Sequence, residues 1–322
     1  MITVNLIADF APIFLRQSPE GDGIWENVHF FANSQEPTDY TVIFNGVKNP
    51  LKVTCQRGNL WLLMQEPPTE FWKPLHQGTE TYDKIFTQDT DLAGSRYFWS
   101  QPANNWWVNR SYSELVGMQP CVKNKKISAI MSDMANFKAH RDRKVFLGKL
   151  KESVSIDHYG KGFQEIGDKW EGLESYQYSL AVENYSNQYY WTEKIADCFL
   201  AWTMPIYCGC TRITEYFPAE SMIVFDMYDP YAIDKILDTI SGDAWSKNYD
   251  AIEYARNLVL NRYQLLPFLS DQIRSYGSLH GVEKKIYRHE WVRPVTVKSK
   301  SLDYYKKKLF RMTGICKRVI GY

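Results

Sequence analysis

The chain has 322 residues, of which 44% are hydrophobic, and its formal net charge is +1. A charge this close to zero gives no overall field that would select nucleic acid or a strongly acidic partner. No apolar run approaches the roughly 20 residues of a membrane-spanning helix, and the amino terminus lacks the pattern of a signal peptide. The six cysteines are scattered and match no zinc or CxxC motif, so we expect reduced thiols in a cytoplasmic protein.

The first part of the chain alternates short strand-like and helix-like segments. Apolar runs predict strands at residues 3–7, 39–45, 60–65 and 82–87, together with a helix at 23–32 and a helical turn at 69–75. This mixture predicts an α/β domain, which we place at residues 1–122.

A second alternation follows the polar, basic stretch at residues 123–126. Its pattern predicts strands at 127–132, 154–158, 178–182, 204–207 and 222–225, and helices at 141–153, 192–202 and 230–240. Strands and helices in this order predict a Rossmann-like unit at residues 123–245. We expect a helical, basic tail region at residues 246–322.

One segment of the second unit carries the densest set of candidate binding residues. A hydrophobic strand delivers Glu183 and Asn184 to its carboxyl end, where open α/β sheets bind ligands. Thr192 is a suitable N-cap for the next helix, whose free N–H groups favour anions. Lys194 adds a positive charge, so a diphosphate can dock there while Glu183 or Glu193 accepts hydrogen bonds from sugar hydroxyls. A capped surface helix is the alternative for these residues taken alone.

The whole segment resembles the donor-binding signature of the α-1,3/4-fucosyltransferases, glycosyltransferase family 10. The matching stretches are Val182-Glu183-Asn184, Tyr190-Trp191-Thr192-Glu193-Lys194-Ile195 and Pro205-Ile206-Tyr207-Cys208-Gly209. Tyr185 stands where the family usually has Ser, and Cys208 stands where many members have Trp. The resemblance implies a member of bacterial type with the GT-B fold, in which two Rossmann-like domains face each other across a cleft. It also implies that Glu183, Asn184, Tyr190, Thr192, Glu193 and Lys194 bind the donor.

A basic helix start before this segment offers a phosphate-binding arginine. By its distance from the apolar residues that follow, Arg143 matches the arginine of the family, and the resemblance implies that it binds the diphosphate. A guanidinium suits this role because it presents paired donors and stays charged. Arg141 and Lys144 remain open as substitutes, and a solvated basic helix start is the alternative.

A strand-end carboxylate in the first domain is the candidate general base. Glu66 follows an apolar run and precedes two prolines, which end a strand. The family places its candidate base in a similar strand-end motif, so the resemblance implies that Glu66 takes the proton of the acceptor hydroxyl, helped if burial raises its pKa. Glu70 is the nearby rival, and a carboxylate in a turn is the structural alternative.

The resemblance implies inverting transfer of fucose from GDP-fucose to a hydroxyl of an oligosaccharide or glycolipid. No metal is required, because fixed cations can neutralise the leaving diphosphate; stimulation by Mg²⁺ or Mn²⁺ stays open. One alternative is a metal-dependent GT-A-like transferase built on Asp89 and Asp91, since paired acidic oxygens suit hard cations. The other is a non-catalytic carbohydrate-binding protein, which the 11 Trp, 22 Tyr and 16 Phe would suit.

The carboxyl-terminal segment combines an apolar stripe with basic residues. The stripe runs at three- and four-residue steps through Leu302, Tyr305, Leu309, Met312, Cys316 and Val319. Lysines and arginines surround it, as is typical of an amphipathic helix lying on an anionic membrane. A helix packed on the protein is the equal alternative. We therefore expect a cytoplasmic protein, and the first of these two interpretations adds contact with the inner face of a membrane.

Overall fold

The structure is a computed structural model that describes residues 1–8, 13–47, 49–72, 75, 79–135, 137–280 and 287–292. The strands of this part of the chain are β1 (Ile2–Ile7), β2 (Ile24–Trp25), β3 (Val28–Ala32), β4 (Tyr40–Phe44), β5 (Leu51–Gln56), β6 (Leu60–Leu63), β7 (Lys84–Thr87), β8 (Tyr97–Trp99), β9 (Lys125–Ile130), β10 (Asp157–Tyr159), β11 (Tyr176–Val182), β12 (Met204–Cys208), β13 (Ile223–Val224) and β14 (Tyr287–Val292). The α-helices are α1 (Tyr112–Gly117), α2 (Lys138–Ser153), α3 (Glu193–Leu200), α4 (Ala232–Ser241), α5 (Ala244–Lys247), α6 (Tyr249–Leu258) and α7 (Leu265–His280).

A first sheet joins seven of the described strands in the order β2-β3-β1-β4-β6-β7-β8. All of its pairs are parallel except β2–β3. Every residue of β4 and β6 is buried, which is typical of parallel sheets that are covered on both faces. The strands predicted in the first part of the chain are confirmed as β1, β4, β6 and β7.

The helix predicted at residues 23–32 is wrong, because this segment forms the antiparallel pair β2–β3. Gly23 has a φ of +80°, and a Cβ at this position would lie 2.4 Å from the carbonyl oxygen of Phe30. Glu26 takes a φ of +53° in the turn between the two strands. These left-handed angles close a tight hairpin and are incompatible with a continuous helix. The sequence also did not predict β5, which pairs antiparallel with β14.

A second sheet has the order β10-β9-β11-β12-β13, with all pairs parallel. The helix α2 connects β9 to β10, and α3 connects β11 to β12, so both are crossover helices of a Rossmann-like unit. The strands and helices predicted here are confirmed, although β10 begins at Asp157 rather than at residue 154. The carboxyl ends of the parallel strands all meet at one edge of this sheet, as they do in the first sheet.

The helix α7 returns to the first sheet. Leu265, Leu266, Leu269 and Ile273 belong to the same buried apolar cluster as residues of β1, β4 and β6. Part of the region predicted as a tail therefore packs against the first half of the chain, and the division at residue 122 stays a prediction. The apolar stripe predicted at residues 302–319, with the basic residues around it, lies outside the described residues. Within the described ranges, the helices are all too short or too polar to cross a bilayer.

Candidate active site

The start of α3 is held by a buried carboxylate at the end of β11. The side chain of Glu183 is 0% exposed and accepts hydrogen bonds from the backbone N and from Oγ1 of Thr192, both at 2.8 Å. Lys194 Nζ lies 3.0 Å from Glu183 Oε2. Thr192 Oγ1 accepts a bond from the backbone N of Lys194, which confirms Thr192 as the N-cap. The carboxylate of Glu183 thus fixes the helix start and Lys194, which differs from the sugar-hydroxyl acceptor suggested by the sequence.

Lys194 belongs to a row of alternating charges at the start of α3, in which Lys169 from a preceding segment joins three residues of the helix, Glu193, Lys194 and Asp197. Its Nζ is 3.8 Å from Glu193 Oε1, and that oxygen is 3.3 Å from Lys169 Nζ. Lys169 also contacts Asp197 Oδ2 at 3.0 Å. Burial would raise the pKa of Glu193, but Lys194 and Lys169 outweigh it and hold that pKa at about 2. Burial lowers the pKa of Lys194, yet Glu183 and Glu193 raise it above its ordinary value, so this side chain remains a cation.

Arg143 lies on the buried face of α2, beside Lys194. It is 9% exposed, and its Nη1 donates to the carbonyl oxygen of Val182 at 3.0 Å. Its Nε is enclosed and finds no hydrogen-bond partner in the part of the chain that the structure describes. Arg143, Lys169 and Lys194 line one cavity under the end of β11. Burial lowers the pKa of the Arg143 guanidinium and Glu183 opposes this effect, but an arginine stays protonated at neutral pH in either case.

The two substitutes considered for Arg143 point to other partners. Arg141 Nη1 donates to the carbonyl oxygen of Ala135 at 3.1 Å, and Lys144 Nζ donates to that of Asp133 at 3.0 Å. Both bonds tie α2 to the loop that precedes it. Of these three basic residues, Arg143 is the one that shares a cavity with Lys194.

Glu66 and Lys194 line the same cavity between the two sheets. Glu66 follows β6 at the carboxyl edge of the first sheet, and Lys194 follows β11 at the corresponding edge of the second sheet. The cavity has a volume of about 280 Å³ and is lined by Asn45, Gln65, Glu66, Asn104, Asn105, Trp107, Tyr190, Thr192, Glu193 and Lys194. Glu70 is exposed on the turn that follows Glu66 and is not part of this lining.

The backbone of Glu66 is fixed by Asn45. Asn45 Oδ1 accepts hydrogen bonds from the backbone N of Gln65 at 2.7 Å and from that of Glu66 at 3.2 Å. Burial raises the pKa of the Glu66 carboxyl, Lys194 opposes this rise, and Glu193 adds to it. A carboxylate that has a raised pKa and faces a cation across a cavity is suited to accept a proton from a hydroxyl group.

A further cavity, of about 610 Å³, lies at the carboxyl ends of β11, β12 and β13. Asn184 lines it, and its Oδ1 is enclosed and has no hydrogen-bond partner among the described residues. Tyr190 is buried, and its ring meets that of Tyr185 edge-on with centroids 5.8 Å apart. Because Glu183 contributes to this lining and also binds Lys194, this cavity adjoins the charged row. Open α/β sheets bind ligands at this edge.

The triplet Asp89-Thr90-Asp91 shapes a local turn. Asp89 Oδ1 accepts a hydrogen bond from the backbone N of Asp91 at 3.1 Å, and the backbone N of Asp89 donates to Thr87 Oγ1 at 3.0 Å. In the part of the chain that the structure describes, no group of three or more His, Cys, Asp or Glu side chains could hold a metal ion.

Gly209 lets the end of β12 pass close to Glu183, and this contact gives a testable prediction. A Cβ at Gly209 would lie 2.5 Å from Glu183 Cγ and 2.6 Å from the hydroxyl of Tyr207. We expect Gly209→Ala to displace Glu183 and Lys194, lowering the free energy of unfolding by about 1–3 kcal/mol and weakening nucleoside diphosphate binding. Denaturant unfolding and calorimetric titration measure both effects. Gly148→Ala on α2 is the control, since its Cβ meets no atom within 4 Å; equal stability of the two variants would contradict the prediction.

Sequence reasoning missed Asn45, Lys169 and Asp197. Asn45 and Lys169 are distant in sequence from the residues they hold, so no local pattern connects them with Glu66 or Glu193. Asp197 follows Glu193 by four residues, which places both on the same face of a helix. That spacing is the feature of the sequence that could have indicated a second carboxylate beside Glu193.

Comparison with known families gives a match to the part of the chain that carries α2, α3 and the second sheet. The family model described as glycosyltransferase family 10 (fucosyltransferase), C-terminal, matches residues 122–250. The matched range is similar to this family and covers less than half of the chain. Arg143 and the residues from Glu183 to Lys194 lie inside the matched range, whereas Glu66 lies outside it.

Two relatives illustrate how far the similarity of this chain extends. It is 23% identical over 225 residues to a 4-galactosyl-N-acetylglucosaminide 3-alpha-L-fucosyltransferase, FUT5, of Gorilla gorilla gorilla, covering 67% of this chain and 58% of that protein. It is 30% identical over 113 residues to 4-galactosyl-N-acetylglucosaminide 3-alpha-L-fucosyltransferase 9 of Homo sapiens, covering 33% of this chain and 32% of that protein. The chain thus spans little more than half the length of the first relative and about a third of the second.

A solved structure confirms the GT-B fold of this chain. The crystal structure of an alpha1,3-fucosyltransferase matches it with a TM-score of 0.50 at 16% identity, over 89% of this chain and 91% of that one. The two parallel sheets with facing carboxyl edges agree with this assignment. The GT-A-like alternative built on Asp89 and Asp91 is therefore wrong about the fold.

Proposed function

We propose that this chain is an inverting fucosyltransferase, which transfers fucose from GDP-fucose to a hydroxyl group of a glycan. The observation that carries the proposal is the shared cavity of Glu66 and Lys194. Direct displacement at an anomeric carbon needs a base for the attacking hydroxyl and positive charge for the leaving diphosphate, and the cavity holds one of each. The family 10 domain and the names of its relatives support fucose as the transferred sugar.

In this proposal, the diphosphate binds to Lys194, Arg143 and the N–H groups at the start of α3. The ion pairs of Lys194 with Glu183 and Glu193 support this role because they keep the side chain charged and in place. The unpartnered Nε of Arg143 supports it as well, since a buried donor without a partner has a hydrogen bond still to make. A helix start adds a partial positive charge.

The remaining donor residues divide into two groups. Glu193, Asn184 and Tyr190 contact the sugar and the nucleoside, which the unpartnered Oδ1 of Asn184 supports. Glu183 and Thr192 act as positioning residues, because their polar side-chain atoms are occupied by each other and by Lys194.

The reaction then balances within the cavity. The oxygen of the acceptor hydroxyl forms a bond to the anomeric carbon of fucose while the bond from that carbon to the diphosphate oxygen breaks. Glu66 receives the hydroxyl proton, and GDP leaves with the bonding electron pair toward Lys194 and Arg143. Attack from the side opposite the leaving group inverts the anomeric centre. Fixed cations carry the charge stabilisation here, so we propose that transfer requires no metal ion.

We propose the acceptor from the names of the relatives and the location from the sequence. The two relatives are named for transfer to 4-galactosyl-N-acetylglucosaminides, and we propose an oligosaccharide or glycolipid of this general kind. Contact with the cytoplasmic face of a membrane is proposed from the basic residues at 302–319, which only the sequence supports.

A ligand panel tests the proposed function. We expect GDP and GDP-fucose to raise the melting temperature of the protein, while UDP-, CMP- and dTDP-sugars have little effect. A ligand at 100 times its Kd stabilises the folded state by about 2.7 kcal/mol, which a thermal-shift assay resolves. In the same preparation with EDTA present, radiolabelled fucose should appear in a 4-galactosyl-N-acetylglucosaminide disaccharide. Glycan binding without any response to GDP would instead identify a non-catalytic carbohydrate-binding protein.

A further inference from the structure

The wall of the cleft cavity contributed by the first half of the chain has an unusual composition. Besides Glu66, it consists of four amide side chains and one indole, namely Asn45, Gln65, Asn104, Asn105 and Trp107. Amides both donate to and accept from hydroxyl groups, and an aromatic face packs against the C–H surface of a sugar ring. The opposite wall carries Tyr190, Thr192, Glu193 and Lys194. The two walls therefore differ in chemistry, one suited to uncharged polyols and the other to a diphosphate.

Trp107 has an exposed side chain on a backbone that is held in place. It is 51% exposed, whereas its neighbour Trp106 is 1% exposed. The backbone N of Trp107 donates to Asp197 Oδ1 at 2.9 Å, and Asp197 is buried and paired with Lys169. Gln17 Nε2 donates to the carbonyl oxygen of Trp106 at 3.1 Å. The segment is thus anchored on both sides while the indole stays open to solvent at the cavity, where its face can pack against a sugar ring.

Asn105 is a second, independent indication of a missing ligand. It is 5% exposed and lines the cavity, yet its Oδ1 is enclosed and accepts no hydrogen bond from the described residues. An enclosed acceptor without a donor costs about 1–3 kcal/mol, and such atoms are rare unless a ligand or water completes them. A sugar hydroxyl is a donor of suitable size for this position.

We propose that Trp107 and Asn105 form the binding site for the acceptor sugar, with the indole packed against the pyranose ring and Asn105 Oδ1 accepting a hydrogen bond from a sugar hydroxyl. The inference rests on the proposed function and specifies its acceptor side. Both residues share a wall with Glu66, the group that receives the proton of the acceptor. The donor cations lie on the opposite wall and are more enclosed, since the Lys194 side chain is 27% exposed. A glycan that extends into solvent fits the exposed wall better than the nucleotide does.

Steady-state kinetics of Trp107→Ala tests this inference. With GDP-fucose and a 4-galactosyl-N-acetylglucosaminide disaccharide varied in turn, we expect the KM for the disaccharide to rise by about 10-fold or more, as for an aromatic anchor of an interface. The KM for GDP-fucose and the rate of GDP-fucose hydrolysis without acceptor should stay within about 2-fold of the wild type, because the Lys194 wall is unchanged. Trp107→Phe should restore most of the affinity for the disaccharide, and Asn105→Ala should also raise its KM.

Trp99→Ala is the matched control, since Trp99 is 49% exposed but lies on β8 outside the cavity lining. It should leave both KM values unchanged. An unchanged disaccharide KM in Trp107→Ala, or a raised KM for GDP-fucose instead, would overturn the acceptor assignment while leaving the proposed function intact. A wild-type protein that GDP fails to stabilise would refute the proposed function, and the acceptor site with it.

Discussion

Lys194→Met is expected to lower kcat for fucosyl transfer by about 10²–10³-fold, as removal of one fixed charge-stabilising group does in other enzymes. The physical reason is that Lys194 is a cation held by Glu183 at 3.0 Å and by Glu193 at 3.8 Å, at a cavity it shares with Glu66. Stabilisation by GDP should fall with activity, because the same charge binds the diphosphate of the free nucleotide. Initial rates and GDP-dependent melting temperatures measure the two effects.

The same substitution leaves Glu183 as a buried carboxylate without its cation. Removing one partner of a buried ion pair costs about 3–5 kcal/mol, and the lower end applies here because Thr192 still donates to Glu183. The double variant Glu183→Gln/Lys194→Met removes the unpaired charge and should recover much of this stability without recovering transfer. Lys235→Met, which breaks a surface ion pair, is the control and should keep full activity. A stable double variant with wild-type activity would refute the role of Lys194.

The strand predictions were correct where burial alone determines the local structure. The strands β4, β6, β11 and β12 are apolar runs that are buried on both faces, so composition and length identify them without knowledge of their neighbours. The helix prediction for residues 23–32 failed because the left-handed backbone angle at Gly23 is incompatible with a helix. A pattern of apolar residues does not report a backbone angle. β5 was missed because its partner β14 lies more than 230 residues later.

Part of the predicted site lies close together in the structure. The structure brings Glu66, Tyr190, Thr192, Glu193 and Lys194 to one cavity, and their roles there stay predictions. Glu183 shows what a motif omits. The sequence places it at the end of a strand, where ligands bind, but only the tertiary contacts reveal that its carboxylate is already used by Thr192 and Lys194. Residues that act by holding others, such as Asn45 and Lys169, leave no trace in a linear pattern.

Glu66→Gln is expected to lower kcat by about 10²–10⁴-fold while GDP binding stays unchanged, because the amide keeps the shape of the side chain but cannot accept the hydroxyl proton. The pH profile gives a second readout. Burial raises the pKa of Glu66 above its ordinary value. Activity of the wild type should therefore fall as the pH drops through this raised pKa, since protonated Glu66 is no longer a base. The acidic limb of kcat/KM should disappear in Glu66→Gln.

Glu70→Gln distinguishes the base from its neighbour. Glu70 is an exposed glutamate four residues later and lies outside the cavity lining, so its substitution should change kcat by less than about 2-fold and leave the acidic limb in place. Glu66→Asp adds a geometric test, because it retains a carboxylate but shortens its reach into the cavity, and it should give intermediate activity with the limb preserved. If Glu66→Gln kept the acidic limb while Glu70→Gln lost it, the proton would be taken by Glu70, and the cleft would have to close around the turn that carries it.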